Sequence, residues 1–163
     1  MKKALLVSIL FFLVSLSSFA QNAAVGRGSV REEIWIAPIV EANLYSISSA
    51  AAGGGLAIGY GDGAAMGIRA LYYMDLDNLT VLETTALVRF YISDFKGNSG
   101  LFLQIDGGSA FFFKEDTDMR MVMSIGLSIG WRFLINKEWY VEPYVRGGFP
   151  YLAGIGVSSG FRF

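Results

Sequence analysis

Residues 120–133, RMVMSIGLSIGWRF, place Met121, Met123, Ile125, Leu127, Ile129, Trp131 and Phe133 at every second position. Val122, Ser124, Gly126, Ser128, Gly130 and Arg132 fall between them. Successive side chains of an extended chain point to opposite faces, so this period of two describes a strand with one apolar face and one small or polar face. Residues 139–149, WYVEPYVRGGF, continue the pattern, with Trp139, Val141, Pro143 and Val145 against Tyr140, Glu142, Tyr144 and Arg146. In residues 153–163, Ala153, Ile155, Val157, Ser159, Phe161 and Phe163 alternate with Gly154, Gly156, Ser158, Gly160 and Arg162.

The same alternation runs upstream. Leu82, Ala86, Val88, Phe90 and Ile92 oppose Glu83, Thr85, Leu87, Arg89 and Tyr91; Leu101, Leu103, Ile105, Phe111 and Phe113 oppose Phe102, Gln104, Asp106, Gly108 and Phe112. Ile68, Ala70, Tyr72 and Met74 oppose Gly67, Arg69, Leu71, Tyr73 and Asp75, and Leu56, Ile58 and Tyr60 oppose Gly55, Ala57 and Gly59. The segment EIWIAPIVEANLY has two readings. Glu41 and Asn43 share a face, but that phase also turns Trp35, Ala37 and Ile39 inward; Pro38 lacks an N–H and is a candidate bulge that resets the phase.

Eight strands are therefore expected, at 33–45, 51–61, 64–75, 80–92, 100–113, 120–134, 139–148 and 152–163. Each reaches the roughly 9–11 residues of a tilted membrane-crossing strand. Exposed sheet edges are not tolerated in lipid, so an even number of strands closing on itself is the allowed arrangement. A soluble barrel or a β-sandwich would turn the apolar face inward and leave the polar face to water. Here the polar face mixes Arg, Glu, Asp, Gly, Ser and Tyr and the other is hydrocarbon and aromatic, which describes a greasy exterior around a polar lumen. The fold class is all-β, an eight-stranded antiparallel up-and-down transmembrane barrel over residues 33–163.

Residues 1–20, MKKALLVSILFFLVSLSSFA, begin with Lys2 and Lys3, run apolar to about Leu16 and end in Ser18-Phe19-Ala20. A basic start, a short apolar run and small residues before the cut describe a cleaved signal peptide. The run is shorter than the roughly 20 residues of a spanning helix. Residues 21–32 read as a flexible leader without a motif. Across the chain 13 basic and 14 acidic residues nearly cancel, so no nucleic-acid partner is indicated. There is no cysteine and no histidine. That excludes a disulfide framework and thiolate chemistry, and removes the commonest general base and metal ligand. No cofactor, metal or enzymatic activity is expected; the Gly-rich GGGLAIGYG run has neither a following helix nor a GK[ST] and is not a phosphate loop.

Polar breaks at 61–63, 93–99 and 136–138 fall at one end of the barrel; the turns at 46–50, 76–79 and 114–119 and the Phe149-Pro150-Tyr151 corner fall at the other. Aromatic residues gather near both ends, as interfacial girdles do: Phe90, Trp131, Phe133, Trp139, Phe161 and Phe163 at the first, and Tyr72, Phe111, Phe113, Phe149 and Tyr151 at the second. A three-residue loop at 136–138 sets Arg132 opposite Glu142, and the turn at 61–63 is expected to set Gly55 opposite Arg69.

The final stretch, with Ile155, Val157, Phe161 and a terminal Phe163, resembles bacterial outer-membrane β-barrel proteins, in size the small OmpA-, OmpX- and OmpW-like group. The resemblance implies that these four residues form the assembly signal read by the barrel-insertion machinery of a Gram-negative outer membrane. It also implies that the 61–63 end is periplasmic and the other extracellular. A monomer embedded in outer-membrane lipid is expected. The outer loops are short, which weakens an adhesin reading.

Two sets of residues are candidates for function. Glu41, Glu83, Asp106 and Glu142 with Arg69, Arg89, Arg132, Arg146 and Arg162 face the lumen and should form an ion-pair network, hydrogen-bonded by Tyr73, Tyr91, Tyr140 and Tyr144. Such a network plugs a narrow barrel. Alternatively, inward glycines leave a water path and the ion pairs gate a narrow channel for small solutes or, by the OmpW-like resemblance, small apolar molecules. The second set, Asp75, Asp77, Glu115, Asp116 and Asp118, offers oxygen ligands to a divalent cation or a lipid-phosphate bridge; the spacing matches no EF-hand, and the competing reading is a solvated rim. The expected role is structural or membrane-maintaining, with a channel second and surface binding third.

Overall fold

A computed structural model describes residues 34–45, 50–61, 64–75, 79–92, 100–114 and 117–163. The expected signal peptide and leader lie outside these. The strands are β1 (Ile34–Tyr45), β2 (Ala50–Gly61), β3 (Ala64–Asp75), β4 (Thr80–Tyr91), β5 (Gly100–Lys114), β6 (Thr117–Leu134), β7 (Trp139–Phe149) and β8 (Tyr151–Arg162). Each pairs antiparallel with the next, and β8 closes on β1.

Register fixes the width of the barrel. The ladder from Ile34 runs through Tyr60, Met66, Val88, Ile105, Leu127, Gly147 and Ala153 and returns to β1 at Leu44 rather than Ile34. That offset is the stagger a closed sheet of tilted strands requires, and with eight strands it leaves an interior that side chains can fill. The alternation read from the sequence maps onto it. Met121, Met123, Ile125, Leu127 and Ile129 are exposed on the outside, while Ser124, Ser128 and Arg132 are buried. An apolar exterior of this extent around a charged interior is the inverse of a water-soluble protein, and its strands cross a bilayer.

Four details differ from the sequence reading. The first strand carries no bulge at Pro38: β1 pairs with β2 without a break from Ile34 to Leu44, and Trp35, Ala37, Ile39, Glu41 and Asn43 all face inward. Pro38 points outward, where its missing N–H and its ring are both tolerated. The irregularity lies instead at the opposite end, where the β1–β8 register shifts between Leu44 and Tyr45. Tyr45 pairs with Tyr151 and Leu44 with Ala153, leaving Leu152 as the extra residue. This shift turns Tyr151, expected in the outer girdle, into the lumen, where it is fully buried.

The β2–β3 register sets Ala57 opposite Arg69, and Gly55 faces Leu71. Finally, β6 begins at Thr117 rather than at 120. It pairs with β5 up to Lys114↔Thr117 but with β7 only from Ile125↔Phe149, so the β5–β6 hairpin stands beyond β7 at the end where β1 finishes, while β4 follows β5 to Thr80↔Phe113. At the other end the β6–β7 turn is closed by the Asn136 side chain, whose Oδ1 accepts the backbone N–H groups of Glu138 (2.9 Å) and Trp139 (2.7 Å).

Candidate functional site: the charged lumen

Eight of the nine charges expected in the lumen are buried there, and the stagger brings together residues from non-neighbouring strands. Arg146 on β7 is the centre of the first cluster. Its Nη1 lies 2.5 Å from Glu41 Oε1 on β1; its Nη2 lies 2.8 Å from Glu83 Oε1 on β4 and 3.2 Å from Asp106 Oδ2 on β5. Arg69 on β3 reaches the same three acids, at 3.0 Å to Asp106, 3.4 Å to Glu83 and 3.8 Å to Glu41. Two guanidinium groups thus serve three carboxylates. The surplus acceptors are met by neutral donors: Tyr73 Oη (2.7 Å), Tyr144 Oη and Asn43 Nδ2 (2.8 Å) donate to Glu41, and Ser124 Oγ donates to Glu83 (3.0 Å).

The second cluster lies nearer the end at which β1 starts and has the opposite balance. Glu142 on β7 receives Arg89 Nη1 at 2.7 Å, Arg132 Nε at 2.6 Å and Ser158 Oγ at 2.8 Å. Here two guanidinium groups share one carboxylate, and aromatic faces take up the surplus positive charge. Arg132 sits 3.8 Å from the Tyr140 ring centroid and 4.5 Å from that of Tyr91; Arg89 sits 4.4 Å from Phe102 and 5.3 Å from Trp35. Gln104 joins the clusters. Its Oε1 accepts from Arg89 Nε (3.0 Å) and Nη2 (2.7 Å), and its Nε2 donates to Asp106 Oδ1 (3.3 Å). Such desolvated charges are tolerable only when paired and hydrogen-bonded.

Arg162 stands apart from both clusters. It is paired in register with Trp35 at the barrel mouth and donates from Nη2 to the Lys137 carbonyl at 2.8 Å. Four of the inward glycines face bulky side chains. A Cβ on Gly59 would strike the Trp35 ring, on Gly130 the Phe102 and Tyr144 side chains, on Gly156 the Tyr144 ring, and on Gly160 Tyr140. They make room for aromatic groups; the sequence brings Tyr91 and Tyr140 into view as hydrogen-bonding partners of the charges, and not as ring faces for Arg132.

Ile155, Val157, Phe161 and Phe163 are exposed on the outer face. Phe161 stacks on Trp139 at 5.7 Å between centroids, and Trp139 Nε1 donates to Ser159 Oγ at 2.7 Å. Of the acidic outer set, Asp77, Glu115 and Asp116 lie outside the described residues. Asp75 ends β3 and accepts the Leu79 N–H at 2.8 Å, Asp118 is exposed on the β5–β6 hairpin, and no metal-binding group of acids occurs among the described residues.

No protein-family model and no curated protein matches the sequence. Solved structures do match in shape. The N-terminal β-barrel domain of Pseudomonas aeruginosa OprF is similar over 83% of this chain and 100% of its own, with TM-score 0.60 and 16% identity. Neisserial surface protein A covers 82% of this chain and 97% of its own, with TM-score 0.57 and 9% identity. The Yersinia pestis outer membrane protein Ail covers 82% and 100%, with TM-score 0.55 and 12% identity. The chain has the fold of the small eight-stranded outer-membrane barrels. At these identities the likeness extends to the fold alone.

Proposed function

We propose that this protein is an integral, non-enzymatic outer-membrane barrel whose role is structural or membrane-maintaining, and whose lumen is closed by its own ion pairs. The observation that carries this reading is the reach of Arg146 from β7 to carboxylates on β1, β4 and β5. One side chain crosses the interior and is held from three sides, with every charged group in the cluster buried. The filling of the glycine positions by Trp35, Tyr140 and Tyr144 supports closure over a water path. The apolar exterior supports a lipid environment, and the self-contained lumen supports a monomer.

The test is solute efflux from vesicles containing the refolded barrel. A closed lumen retains small ions and sugars as empty vesicles do, and rapid efflux refutes it. A channel for small solutes would require the Glu142 cluster, held by Arg89 and Arg132, to open as well as the Arg146 cluster.

A further inference from the structure

Between the acid-rich and arginine-rich clusters lies a small cavity of about 10 Å³, room for one water-sized guest. Arg69, Arg89, Gln104, Ser128, Tyr144 and Ser158 form its polar lining. Two of these side chains carry a buried polar atom without a partner among the described residues, Nε of Arg69 and Oγ of Ser128. They are only 3% and 1% exposed. An Arg Nε–H is a donor only, and a buried donor left without an acceptor is costly.

The surrounding groups are committed elsewhere. Gln104 Oε1 is taken by Arg89, the Tyr144 hydroxyl donates to Glu41, and the Ser158 hydroxyl donates to Glu142. What remains at the cavity is donor-rich and lined by two guanidinium side chains. Ser128 stands opposite Gln104 on β5 and Arg146 on β7, so a guest there would tie β6 to Arg69 on β3 across the lumen. Cavities that stay empty are apolar, whereas buried polar groups without a protein partner are met by ordered water.

We propose that this cavity binds one water molecule, whose oxygen accepts from Arg69 Nε–H and meets Ser128 Oγ. The inference goes beyond the closed-lumen reading. A conducting barrel with an occupied cavity would overturn that reading and leave this one standing, and a silent barrel with a dry cavity would do the reverse.

The experiment is a crystal structure of the refolded barrel grown in bromide, with data collected at the bromine absorption edge. The expected result is one density peak within hydrogen-bond distance of both atoms. A peak without anomalous signal is the water; an anomalous signal there, from a bromide ion, would overturn the assignment to water. A dry cavity in the wild-type barrel overturns the proposal. The same measurement on Ser128→Val, which removes the hydroxyl and fills the space, should lose the peak; a peak that persists would overturn the assignment to Ser128. Folding of the variant is not required, because the wild-type density decides the question alone.

Discussion

Arg146 Nη1 lies 2.5 Å from Glu41 Oε1, joining β7 to β1 across an interval of 105 residues. β8 lies between those strands in the sheet, so the contact passes through the lumen and not along a ladder. Removing one partner would leave three carboxylates facing Arg69 alone. Breaking a buried ion pair from one side costs about 3–5 kcal/mol. Arg146→Ala should therefore lower the stability of the refolded barrel by about that much, measured by urea unfolding in vesicles followed through tryptophan fluorescence. Arg162→Ala, at the mouth and outside both clusters, should cost less than about 1 kcal/mol in the same assay.

Gly156 is opposite Tyr144 in the β7–β8 ladder, and a Cβ there would come within 2.5 Å of the Tyr144 ring. Gly156→Val should push that ring aside and take its hydroxyl from Glu41. Overpacking of this kind costs about 1–3 kcal/mol. The Gly156→Val, Tyr144→Phe double variant checks the cause. If the hydroxyl is what Gly156→Val displaces, the two substitutions will be less than additive in a double-mutant cycle.

Val40 projects from the middle of β1 and is 71% exposed. If the bilayer covers this face, an arginine there sits near the midplane and costs about 2–4 kcal/mol, against about 0–1 near an interface. Val40→Arg should thus fail to insert or refold in proportion, measured as the heat-modifiable folded fraction on a gel. Asp118→Arg, on the hairpin beyond the rim, should refold as the parent does. Equal behaviour of the two variants would contradict a lipid-covered exterior.

Alternation made most of this barrel legible, because one face of each strand meets lipid and the other the lumen, and nothing else in the chain sets a period of two. The Arg132–Glu142 pair was legible for a related reason: a short hairpin fixes the register of its own two strands. The partners of Arg146 were not. They lie on β1, β4 and β5, and which of them meet depends on the stagger of the closed sheet, which no local pattern encodes. Tyr151 was misplaced because a register shift at Leu44/Tyr45 reverses the face beyond it, and nothing in the sequence there marks the extra residue. At Pro38 the opposite happened: a residue that suggests a break sits harmlessly on the outer face.

In the second cluster, the Glu142 carboxylate is shared by Arg89 and Arg132. Glu142→Gln should destabilise the barrel by about 3–5 kcal/mol, since it takes the carboxylate from two buried guanidinium groups. Adding Arg132→Met to that variant should restore part of the loss by removing one uncompensated charge. A double variant that unfolds more readily than Glu142→Gln would show that Arg132 is held chiefly by Tyr140 and Tyr91 and does not depend on the carboxylate.

The most direct test of the closed lumen is single-channel recording of the refolded protein in a planar bilayer, alongside the Arg69→Ala, Arg146→Ala double variant. The wild type should be silent while demonstrably inserted. The variant, with both arginines of the acid-rich cluster removed, should show discrete, cation-preferring openings if it still folds. Regular openings from the wild-type barrel would contradict the account.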